Sequence, residues 1–125
     1  MGRAKIELGE RGEKLAVDFL RKKGYHIVTV NFRCRLGEID LIAREGNTTV
    51  FVEVKTRGSL EFGMPEESVT SGKQKQILKA ALFYLKGKSL LDVNCRFDVV
   101  SIVVENNGKV KRLSLIKNAF EPGKM

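Results

Sequence analysis

Residues 37–57, GEIDLIAREGNTTVFVEVKTR, read as one β-hairpin that carries three ionisable side chains on a single face. Two alternating apolar runs, Glu38 to Arg44 and Val50 to Thr56, flank a turn built on Gly46-Asn47, a dipeptide suited to a two-residue hairpin loop. With those two residues as the loop, the cross-strand partners follow: Ala43 faces Val50, Asp40 faces Glu53 and Glu38 faces Lys55. A slip of one residue would break every pair. Side chains two apart share a face, so Glu53 and Lys55 project together with Asp40 opposite, while Val50, Val52 and Val54 point to the core. Directly opposed like charges destabilise a sheet. At ~5 Å and an effective dielectric of about 20, two carboxylates repel by roughly 3 kcal/mol. A divalent cation between them would offset that repulsion, and an adjacent lysine only part of it. The alternative is a solvated hairpin face in another register, with Glu38 and Lys55 as a surface ion pair.

Outside the hairpin, 125 residues with 42% hydrophobic content suit one globular domain, taken as 1–118 with a tail at 119–125. Lys and Arg number 23 against 15 acidic residues, and the resulting net charge of +8 favours a polyanionic partner, or else serves solubility alone. Cys34 and Cys95 are far apart and lack any C-x-x-C spacing, which argues against a disulfide framework or a zinc site. They read as buried or incidental thiols in a reducing compartment. His26 is the sole histidine, which excludes mechanisms that need two. The charged N-terminus lacks the apolar core of a signal peptide, Ile6 rules out a myristoylation motif, and no apolar run is long enough to span a membrane; the expected location is the cytoplasm.

Helical spacing of Leu8, Leu15, Ala16, Phe19 and Leu20 predicts an amphipathic helix over Ile6–Lys23, stopped by Gly24. Glu13 lies at one margin of the stripe beside Leu20, and Lys14 at the other. Gly9 and Gly12 each weaken the helix by roughly 1 kcal/mol relative to alanine, which implies close packing on the sheet or a loose first turn. Tyr25–Arg33 alternates like a strand, and Asn31, Arg33 and Arg35 form a polar cluster before Gly37. Guanidinium forks there suit phosphate, although a solvated loop would look the same. The segment 58–72, GSLEFGMPEESVTSG, reads as a mobile loop beside the site. Ser71 followed by Gln74 resembles a capping box and opens a helix with Ile77, Leu78, Ala81, Leu82 and Leu85 that ends at Gly87. Lys73, Lys75 and Lys79 crowd its first half, either as phosphate contacts or as a solvated face. Two strands follow, Cys95–Glu105 and Lys109–Ile116, joined at Asn107-Gly108. Arg96 and Asp98 are expected to be structural, and NAFEPGKM a disordered or loosely docked end.

An acidic residue near the end of one strand, a turn, and then Glu-x-Lys in the next strand resembles the active-site core of the PD-(D/E)xK nuclease superfamily. The blocks GERGEKLAVDFLRKKGY, NFRCRLGEIDLIA, FVEVKTR and RFDVV, in that order, resemble the small bacterial family of uncharacterised nuclease-like proteins known as UPF0102, over roughly residues 8 to 118. Ile39 stands where the superfamily's name has proline. The resemblance implies an α/β, restriction-endonuclease-like αβββαβ core: a mixed central sheet flanked by two helices, with one extra C-terminal strand. It implies a Mg²⁺- or Mn²⁺-dependent nuclease with Asp40, Glu53, Lys55 and Glu13 as catalytic residues. Asp40, Glu53, Glu13 and the Val54 carbonyl would hold the metal, with Glu38 in support. Nucleic acid, DNA rather than RNA, would be contacted by Arg33, Arg35, Arg57, Lys73 and Lys75. The alternatives are a catalytically inactive nucleic-acid-binding module of the same fold and, more remotely, a basic scaffold protein. The oligomeric state is left open, a homodimer among the options.

Overall fold

The computed structural model describes residues 2–58, 69–90 and 93–121. Helix α1 (Gly2–Lys22) begins earlier than its apolar stripe predicts and ends on Gly24, whose φ of +91° lets Gly24 and Tyr25 donate back to the Arg21 and Leu20 carbonyls. Three antiparallel strands follow: β1 (His26–Cys34), β2 (Gly37–Glu45) and β3 (Thr48–Gly58). Tyr25, expected to open β1, lies just outside it with its ring buried and its hydroxyl on Asp98. Helix α2 (Ser71–Gly87) then carries the chain across the sheet, so that β4 (Cys95–Val104) lies parallel to β3, as parallel neighbours require a crossover. Strand β5 (Val110–Ile116) returns antiparallel, giving the spatial order β1-β2-β3-β4-β5. This is a mixed five-stranded sheet with one helix on each face.

Each helix brings its own core. Ala16 and Leu20 of α1 pack on Leu41, Ala43, Val50, Val52, Val100 and Ile102. Ile77, Ala80, Ala81, Tyr84 and Leu85 of α2 pack on Ile39, Ile42, Phe51, Phe97 and Val99. β3 is central and buried on both faces, so Val50, Phe51 and Val52 are apolar in succession. Beneath α2 an aromatic series runs from Phe32 through Tyr84, Phe51 and Phe97 to Phe120, with ring centroids 5.3–6.1 Å apart.

Several boundaries depart from the sequence reading. The cap of α2 is Thr70, not Ser71: Thr70 holds extended backbone and its hydroxyl accepts from the Lys73 N–H, while Gln74 donates to the Val69 carbonyl instead of closing a box. β5 starts at Val110 because the Lys109 carbonyl closes the preceding turn onto the Glu105 N–H. Asp98, fully buried, accepts from Tyr25, Arg96 and the Asn118 N–H, and Arg96 also reaches Glu45, which binds Lys117. The structural role expected of Arg96 and Asp98 is what this network provides. It anchors the start of the terminal segment, where Ala119 donates to the Phe97 carbonyl and Phe120 stacks on the Phe97 ring. Neither cysteine is fully buried; both are free thiols. The expected loop falls mostly on 59–68, and the tail's last residues on 122–125, outside the described residues. Among the described residues no helix is long and apolar enough to cross a membrane.

Candidate functional site

The β2–β3 hairpin keeps the register set by its turn, with Glu45 opposite Thr48, Ala43 opposite Val50 and Leu41 opposite Val52. There the ladder stops. At the next step the Asp40 carboxylate, not a carbonyl, accepts the Val54 N–H at 2.8 Å. The two strands part beyond this point, so Glu38 does not meet Lys55; it lies across from Arg33 on β1 and pairs with it at 3.4 Å, both side chains exposed. Such an exposed pair contributes little to stability.

β2 also rotates at Asp40. Leu41 belongs to the core under α1 and Ile39, two residues away, to the core under α2, although residues two apart on a regular strand share a face. The opposite strand turns with it. Asn31, between the pairs Val30–Leu41 and Phe32–Ile39, has a φ of +55°, a left-handed conformation that asparagine tolerates better than most residues. Asp40 thus sits at a local twist of both strands, beside the opening between β2 and β3.

Glu53 and Glu13 each feel the Asp40 charge, and Lys55 acts on Glu53. Glu53 is only 6% exposed, and its Oε2 has no hydrogen-bond partner among the described residues. Burial pushes the Glu53 carboxyl up to about 9, helped by a hydrogen bond to Asp40 and by that group's charge, while the charges of Lys73 and Lys55 pull the other way. Glu53 therefore keeps its proton well above the ordinary carboxyl range, which relieves its repulsion with Asp40. Glu13 arrives from α1, which lies so close to β3 that a Cβ on Gly12 would collide with Thr56 Oγ1. Burial and then the Asp40 charge raise the Glu13 carboxyl above its usual range, against a hydrogen bond from the Asn31 side chain and the charge of Arg33. Lys55, half-buried, shares the Glu53 face of β3. Among the described residues no three of His, Cys, Asp and Glu converge as one ligand set; Asp40 and Glu53 form a pair that Glu13 approaches from the helix.

The basic residues divide. Arg33 and Arg35 lie exposed at the β1–β2 turn, and Arg57 near the end of β3, opposite Val103 of β4. Lys73 and Lys75, grouped by sequence proximity, point to different sides of α2: two residues apart on a helix is about 200° of rotation. Lys73 turns toward the sheet and acts on Glu53, while Lys75 is exposed. The helical wheel held that signal, since Lys73 falls in the same arc as Ile77 and Ala80. Asn31 had no comparable signal, because a left-handed φ in mid-strand depends on the strand beside it.

Residues 12–102 match the family described as "Uncharacterised protein family UPF0102". Among curated proteins, the UPF0102 protein of Caldicellulosiruptor saccharolyticus is 50% identical over 93% of this chain and 98% of its own length. That of Geotalea uraniireducens is 54% identical over 91% of this chain and 89% of its own, and that of Dictyoglomus turgidum 45% identical over 91% and 97%. Family profile and full-length relatives agree, and the chain belongs to the UPF0102 family.

Proposed function

We propose that this protein is a cytoplasmic, metal-dependent nuclease with a restriction-endonuclease-like core, hydrolysing phosphodiester bonds in DNA. One observation carries the reading: the unpartnered Oε2 of buried Glu53 beside Asp40. Buried polar atoms are rarely left unpaired, and an exception needs an explanation, for which a bound ion is one. The donors at hand are carboxylate oxygens, which suit a hard cation such as Mg²⁺ or Mn²⁺. Asp40 and Glu53 are the ligands we assign, with the Val54 carbonyl and Glu13 completing the set. A cation held by these residues would supply polarisation of the phosphoryl group and a lowered pKa for an attacking water. The chain's own residues supply the rest. Asp40, held by the Val54 N–H, keeps one carboxylate in a fixed orientation. Lys55 orients the water and stabilises the charge that develops on the phosphoryl oxygens. Arg33, Arg35, Arg57, Lys73 and Lys75 are the residues we assign to the nucleic-acid backbone.

Calorimetric titration with Mn²⁺, followed by incubation with labelled linear, flapped and four-way DNA, tests this. Wild type should bind Mn²⁺ and cleave at least one substrate, and the Asp40→Asn, Glu53→Gln double variant should do neither. Lys55→Ala should bind Mn²⁺ yet fail to cleave, because an ammonium donates and does not ligate. Equal Mn²⁺ affinity in wild type and the double variant would refute the metal site. Binding without cleavage of any substrate would favour the inactive nucleic-acid-binding module.

A further inference from the structure

We propose that the outward face of α2 is a docking surface for a single-stranded segment of nucleic acid, gripped by Lys75, Lys79 and Lys86 and stacked on Phe83. The inference deepens the reading above and rests on its nucleic-acid partner. At about 100° per residue, Lys75, Lys79, Leu82, Phe83 and Lys86 fall within an arc of about 100°, opposite the buried Ile77, Ala80, Ala81 and Tyr84. All five are exposed, Leu82 by 48% and Phe83 by 41%. The β1–β2 turn packs against α2 at Gln76, where a Cβ on Gly37 would stand 2.6 Å from Gln76 Cγ.

An aromatic ring set among three ammonium groups suits a ligand that is polyanionic and also presents flat apolar faces. An unpaired strand offers both, phosphates to the lysines and a base to the ring. A duplex keeps its base faces stacked inside and offers the lysines alone. A second copy of this chain would set the same lysines against one another, a like-charge juxtaposition that opposes association. The stripe lies on the side of α2 turned away from Lys73, the member of this helix that acts on Glu53.

The test uses the whole protein in EDTA, so that cleavage does not enter, with a labelled oligothymidylate and a labelled duplex of equal length read by fluorescence anisotropy. Phe83→Ala should weaken the oligothymidylate about tenfold and leave the duplex unchanged, as loss of one stacked base predicts. Lys79→Gln combined with Lys86→Gln should weaken the single strand and reduce its salt dependence. The chain contains no tryptophan, so Phe83→Trp provides a sole indole that should retain affinity and be quenched on binding oligothymidylate. Wild-type protein without affinity for the single strand would overturn the proposal. So would a Phe83→Ala variant that binds it normally, an equal loss of duplex binding, or an indole that stays unquenched at saturation. A concentration-dependent dimer dispersed by Phe83→Ala would assign the face to a second copy instead. None of these outcomes touches Mn²⁺ binding at Asp40 and Glu53, so the metal reading and the docking surface fail separately.

Discussion

Glu53 is a carboxyl that the fold buries while leaving one oxygen without a partner among the described residues, and its acid–base behaviour follows from that placement. In the unfolded chain it titrates near 4.5; in the fold burial and Asp40 raise it to about 9. The folded state thus binds the proton more tightly throughout that window. Its stabilising contribution is complete below 4.5 and is lost as pH rises toward 9, by at most about 1.4 kcal/mol per pH unit. Glu13 moves the same way, while Glu45, lowered chiefly by its hydrogen bond from Lys117, loses its contribution only at acid pH. Urea unfolding in EDTA should therefore show stability falling between pH 5 and pH 8, and Glu53→Gln should flatten the profile. Identical pH profiles for the two proteins would show that Glu53 is not the group responsible.

Helix α1 contains two glycines that composition cannot tell apart and packing can. Nothing lies within 4 Å of a Cβ placed on Gly9, whereas one on Gly12 would collide with Thr56 and touch Ile102. Gly9→Ala should stabilise the protein by about 0.5–1 kcal/mol through helix propensity alone. At Gly12 the same gain is outweighed by overpacking, which typically costs 1–3 kcal/mol, so Gly12→Ala should be net destabilising. Thermal melts of the two variants, shifting in opposite directions, would confirm the assignment; two shifts of the same sign would contradict it. Of the two explanations that glycine placement allowed at the sequence level, close packing applies at Gly12 and not at Gly9. The same closeness carries Glu13, the next residue, up to Asp40.

For the molecule as a whole, a charge of +8 predicts salt-sensitive binding to nucleic acid. Each phosphate neutralised on duplex DNA should contribute about −0.9 to the slope of log affinity against log salt. Anisotropy titrations from low to moderate salt measure that slope, and affinity indifferent to salt would remove the nucleic-acid reading altogether. The charge is not spread evenly by role. Arg96 and Lys117 are engaged with Asp98 and Glu45 in a structural network, and Lys73 faces the carboxylates, so net charge overstates the cations available to a ligand.

The hairpin register, the α1 stripe, the Ile77, Ala81 and Leu85 side of α2 and the mutual approach of Asp40 and Glu53 were legible in the sequence, whereas Leu82, read as part of the α2 stripe, is 48% exposed and Ala80 and Tyr84 take the buried face instead. The legible features depend on local rules: turn chemistry sets the pairing, and alternation or a helical repeat sets the face. The end of the ladder at Leu41–Val52 was not legible, nor was the exchange of a main-chain partner for the Asp40 side chain, because neither follows from the turn or from the alternation of the hairpin itself. The displacement of Glu38 from Lys55 to Arg33 follows from that same parting of strands. The left-handed Asn31 and the turn of Lys73 toward Glu53 needed a neighbouring strand and a docked helix to exist first. Local periodicity determined which residues could share a face; desolvation by non-local packing decided which of them became a site.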